Sequence, residues 1–103
     1  MVRHIVPNVS KLLADVPEDK RFWCQDGRVF CNLKELESGL PGMGPEAWQH
    51  HTGQGRNDFS NWVRDVMGDD ILAAELQRIP TPLAAAQAIR DRIARPQKRR
   101  RAA

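Results

Sequence analysis

Apolar residues along this chain fall into short runs of two different periods, punctuated by glycine and proline. Phe59, Trp62, Val63, Val66 and Met67 recur at i, i+3, i+4, i+7 and i+8, the spacing of one buried helix face. Asn57 or Asp58 supplies the N-cap oxygen for that helix, and Gly68 ends it. Leu33, Leu36 and Leu40 mark another helix. Asn32 opens it with Glu35 three residues on, a variant of the capping box, and Gly39, Pro41 and Gly42 end it. Pro45 stands where a first helical residue belongs, so residues 45–51 read as a short helix with Ala47, Trp48 and His51 on one side. A further helix spans 69–79, with Leu72, Leu76 and Ile79 inward and Pro80 closing it. Thr81 and Pro82 then open the last helix as N-cap and N1; Leu83, Ala86, Ile89 and Ile93 form its narrow stripe, and Pro96 stops it. Upstream, Val9, Leu12 and Leu13 share a face of a short helix over 8–15, stopped by Pro17.

One stretch has the other period. From Arg21 to Cys31, two apolar, aromatic runs flank Asp26-Gly27, the strongest short-range signal for a β-hairpin. A two-residue type I′ loop sets Cys24 opposite Val29, Trp23 opposite Phe30 and Phe22 opposite Cys31. Phe22, Cys24, Val29 and Cys31 then share one face, and Trp23 and Phe30 stack on the other. An isolated hairpin is marginal in water, so helices must cover it. The expected fold is mainly α, in the α+β sense: five to six short helices packed around one hairpin at about residues 21–31. Residues 1–95 form the domain, and residues 96–103 a basic flexible tail.

Composition sharpens this picture at one point, the charge. At 103 residues, with 41% hydrophobic and 28% charged residues, the chain suits one core. No window reaches the ~18 consecutive apolar residues of a membrane span, and the first seven residues lack a signal peptide's apolar run, so a cytoplasmic location is expected. The net charge of +3 is unevenly placed: residues 92–103 hold six of the sixteen Lys/Arg and none of the thirteen Asp/Glu. The body is mildly acidic and the basicity is terminal. A duplex-reading domain lines a folded face with positive charge, so the body argues against direct readout of DNA. Arg95, Lys98, Arg99, Arg100 and Arg101 are the candidate polyanion-binding residues.

The candidate polar site is His51, Arg56, Asn57 and Asp58. A short Gly-rich loop separates His51 from the start of the best helix, so its imidazole can reach the Asp58 carboxylate. That pair suits either proton transfer and ligand binding or a hydrogen bond that ties loop to cap, and the second reading is preferred because no nucleophile or second base completes a catalytic set. Cys24, Cys31, His50 and His51 match no zinc spacing, since six residues separate the cysteines and adjacent histidines diverge on a helix. The thiols are read as core, and no metal or cofactor is expected. Gly53-Gln54-Gly55-Arg56 lacks the Lys-Ser/Thr of a P-loop, and Asp58 already occupies that helix end with negative charge. Gly68-Asp69-Asp70 reads as a helix stop followed by acidic first-turn residues.

Phe22-Trp23, Asp26-Gly27, Asn32-Leu33…Glu35-Leu36, Trp48…His51 and Asn57-Asp58-Phe59…Trp62-Val63…Gly68-Asp69 together resemble a small uncharacterised prokaryotic domain family over about residues 21–95. The resemblance calls for His51 rather than His50, requires neither cysteine, and implies no activity. The reading is a non-enzymatic interaction or adaptor module with a protein partner, whose basic C-terminal tail adds non-specific hold on an acidic surface or nucleic acid. The alternative is a small-ligand or metal-binding domain, catalytic or not, centred on His51 and Asp58.

Overall fold

The computed structural model describes residues 12–94. A 3₁₀ turn, Glu18–Lys20, leads into the antiparallel hairpin β1 (Phe22–Trp23) and β2 (Val29–Phe30). Five α-helices follow: α1 (Leu33–Gly39), α2 (Pro45–Thr52), α3 (Asp58–Trp62), α4 (Asp70–Leu76) and α5 (Pro82–Ala94). The fold is mainly helical with one two-stranded hairpin, as the patterning predicts. Of the expected first helix, residues 8–11 lie outside the described residues; within it Leu12 is fully buried and Leu13 is exposed.

The hairpin register differs from the expected one by a residue. Phe22 pairs with Phe30 and Trp23 with Val29. The loop has three residues rather than two: Gly27 N–H donates to Cys24 O (3.0 Å), Cys24 N–H donates to Arg28 O (2.9 Å), and Gly27 sits at φ +97°. This is a type I turn closed by a left-handed glycine. A type I′ turn would have put Asp26 itself at positive φ, which it avoids. Instead Asp26 accepts the Arg28 N–H (3.1 Å) and pairs with the Arg28 guanidinium (2.7 Å), which holds its carboxyl down at about 2. One residue of slip turns β2 over. Phe22, Cys24 and Phe30 therefore face the core, and Trp23 is left 63% exposed.

Helix α1 begins as expected, with Asn32 Oδ1 accepting the Glu35 N–H (2.8 Å). The reciprocal bond reaches one residue further back than in a standard capping box, from Cys31 N–H to Glu35 Oε1 (2.8 Å). Leu33, Leu36 and Leu40 are fully buried. Gly39 is where Phe30 lands: a Cβ there would stand 2.5 Å from the Phe30 ring. Absence of a side chain lets the hairpin close onto the helix.

The stripe from Phe59 to Met67 is buried as expected, with Val66 partly so, but the helix is not regular. After Trp62 it widens into a π-helical turn over Val63–Met67, and Gly68 at φ +77° reverses the chain. The reversal carries Asp69 into the interior. It is not a bare helix stop: Asp69 is fully buried, caps α4 by accepting the Leu72 N–H (3.1 Å), and takes the Arg92 Nε–H at 2.7 Å. Helix α4 ends at Leu76 rather than Ile79, because Arg78 and Ile79 donate to Glu75 and Leu76 in tighter i→i+3 bonds ahead of Pro80.

Helix α5 starts with Thr81 Oγ1 accepting the Ala84 N–H (3.2 Å). Its buried face is Ala85, Ala86, Ala88 and Ile89, with Ile93 partly covered. Leu83, expected in the stripe, is 66% exposed. The buried arc centres between Ala85 and Ile89, and Leu83 lies roughly 130° around the helix from that line. Two ion pairs lock α5 to the body: Arg90 to the buried Glu37 of α1 (3.0 Å) and Arg92 to Asp69 (2.7 Å).

Candidate functional site

Phe59, at the start of α3, is stacked between Phe22 of β1 (centroids 4.9 Å apart) and Trp48 of α2 (5.3 Å). His51 sets its ring edge-on against both Phe22 and Phe59, at 5.0 and 5.4 Å. Its position follows from local sequence: Pro45 starts α2, and Ala47 and His51, four residues apart, turn to the same interior.

The expected His51–Asp58 contact is present at 2.8 Å, between Nδ1 and Oδ2. The other ring nitrogen is also engaged: the backbone N–H of Gln25, in the hairpin loop, donates to Nε2 at 3.0 Å. Because a backbone N–H can only donate, Nε2 holds the lone pair and Nδ1 the proton. His51 thus joins hairpin, α2 and α3, and neither nitrogen is left to face a ligand. Sequence spacing pointed to Asp58 but could not point to Gln25, twenty-six positions upstream.

Asn57 is the N-cap of α3, with Oδ1 accepting the Ser60 N–H (3.0 Å) and Nδ2 donating to Leu76 O (3.1 Å). Arg56 donates through Nη2 to His50 O, and its Nε lies 3.7 Å from Asp58 Oδ1. The four candidate residues therefore converge, but His51 and Asn57 point inward, while Arg56, half exposed, points to the surface. There it borders a cleft that the sequence reading missed, of about 370 Å³, walled by Trp48 and Thr52 of α2 and by Gln77 and Pro80 after α4. The Trp48 Nε1–H donates to Pro80 O (3.1 Å) across thirty-two positions, a pairing that no local pattern encodes.

The thiols are not brought to His50 and His51 as a metal centre, and among the described residues no three His, Cys, Asp or Glu side chains are grouped to hold an ion. Cys24 is buried and Cys31 half-buried; loss of solvation pushes both thiols above their usual range. No described helix is long and apolar enough to cross a membrane. Arg95, Lys98, Arg99, Arg100 and Arg101 lie outside the described residues.

The sequence matches no family model, and neither a curated protein nor a solved structure matches it.

Proposed function

We propose that this protein is a non-enzymatic interaction module whose compact helical body meets a protein partner and whose C-terminal basic segment holds an acidic surface or nucleic acid non-specifically. Kinship with the small prokaryotic domain family that carries the Asn-Asp-Phe-x-x-Trp helix belongs to the same reading. One observation carries it: among the described residues, five of the body's cations are spent in ion pairs within it. Arg28 pairs with Asp26, Lys34 and Arg90 with Glu37, Arg64 with Asp65, and Arg92 with Asp69. Pairing of this kind among the described residues argues against a stripe of unpaired positive charge for a phosphate backbone. Residues 95–103 hold five Lys/Arg and no acid. The use of both His51 nitrogens inside the fold supports the non-enzymatic half of the reading.

Deleting residues 96–103 tests it. Retention on heparin and on single-stranded DNA should fall sharply, with a shallower salt dependence, while the thermal midpoint of the body stays where it was. Unchanged retention would refute the role given to the segment.

A further inference from the structure

The cleft beside Arg56 has the attributes of a built site. Its volume of about 370 Å³ lies within the ~300–1,000 Å³ of small-molecule pockets. Its walls are held before any ligand arrives: Trp48 is stacked on Phe59 and bonded to Pro80, and Asn57 ties the loop to Leu76. The loop itself is a type I′ turn, with Gln54 at φ +60°, Gly55 at φ +79° and Arg56 N–H donating to Gly53 O (3.3 Å). Left-handed backbone is unfavourable for Gln54 and persists only where its surroundings impose it. That turn delivers Arg56 to the cleft.

What is left unspent there is one edge of a guanidinium. Arg56 uses Nη2 on His50 O and turns Nε toward Asp58, while Nη1 has no hydrogen-bond partner among the described residues. No acidic residue lines the cleft. Trp48 keeps one face on Phe59 and gives the cleft its aromatic surface.

We propose that this cleft binds a small carboxylate carried on a flat, unsaturated frame, with an oxygen on Arg56 Nη1 and the ring against Trp48. A guanidinium edge matches carboxylate oxygens, and an indole favours a planar partner over a puckered one. The proposal goes beyond the interaction module and does not depend on the basic segment.

The test is an amide and indole NMR titration of the full chain with benzoate. Saturable shifts are expected at the Trp48 indole N–H, Gly55 and Gln77, with the Trp23 and Trp62 indoles unmoved. Benzamide, which lacks the charge, and cyclohexanecarboxylate, which lacks the flat ring, should each bind about tenfold more weakly. Arg56→Gln should cost about tenfold in affinity. Comparison of benzoate with benzamide on the unmutated chain keeps the test open should Arg56→Gln loosen the loop. Absence of saturable shifts, benzamide binding as well as benzoate, or full affinity in Arg56→Gln would each overturn the proposal.

Discussion

His51 Nε2 lies 3.0 Å from the backbone nitrogen of Gln25, and that bond is what closes the hairpin loop onto the helices. Asp58 fixes the ring from the other side at 2.8 Å. A histidine held this way acts as a two-ended hydrogen-bond strut, buried against the Phe22 and Phe59 rings. Nitrogen-detected spectra of His51 should show the Nδ1–H form. Replacing it by phenylalanine keeps a flat ring but leaves the Gln25 N–H without its acceptor and Asp58 without its His51 donor. Such a change should lower unfolding free energy by roughly 2 kcal/mol with little change in denaturant m-value. A variant as stable as the wild type would show that the strut carries nothing.

The Asp69–Arg92 pair is the deepest charge interaction described, with the Asp69 side chain wholly inaccessible and the Arg92 side chain 12% exposed. Removing one partner of a buried pair leaves the other charged and poorly solvated. Arg92→Met is expected to cost about 3 kcal/mol in chemical denaturation. In a double-mutant cycle with Asp69→Asn the two losses should fall short of additive by more than ~1 kcal/mol, and strict additivity would mean that the contact is incidental.

Glu37 makes the α1–α5 contact sensitive to acid. Burial pushes its carboxyl up, but hydrogen bonds from Lys34 and Arg90 and their charges outweigh burial and hold it below its ordinary value of 4.5. A carboxyl depressed in the folded state contributes stability above the unfolded value. That contribution fades as pH falls below 4.5 and through the folded value. The stability gap between wild type and Glu37→Gln should therefore be widest near neutrality and narrow progressively as pH falls below 4.5. A gap independent of pH would exclude the ion pairs as its source.

Gly39→Ala should destabilise although alanine is the better helix former. Its Cβ would sit 2.5 Å from the Phe30 ring, so ring or helix must move. The expected cost is roughly 1–3 kcal/mol by thermal or urea unfolding. Pairing it with Phe30→Leu, which clears part of that space, should recover some of the loss; if Gly39→Ala stabilises the protein, the close approach is not what keeps glycine there.

Much of the architecture was readable in order along the chain. Pro45, Asn32, Asn57, Thr81, Gly68 and Pro80 stand near helix ends because capping, left-handed backbone and a missing N–H act within a few residues. The His51–Asp58 contact was readable for the same reason, since only seven positions and one short turn separate the partners.

What the three-dimensional packing decided lies at longer range. The hairpin's register depended on a choice between two loops, both compatible with Asp26-Gly27, which differ in whether Asp26 must take positive φ. Periodicity alone gave Leu83 to the buried stripe, whereas the packed helix turned its alanines inward. Nothing next to Asp69 or Glu37 in the sequence marks them as buried; their partners Arg92 and Arg90 come from α5, twenty-three and fifty-three positions away. Local backbone chemistry is written in neighbouring residues and so determined the elements. Which side chains meet across those elements depends on how the faces pack, and that was settled only when the chain folded.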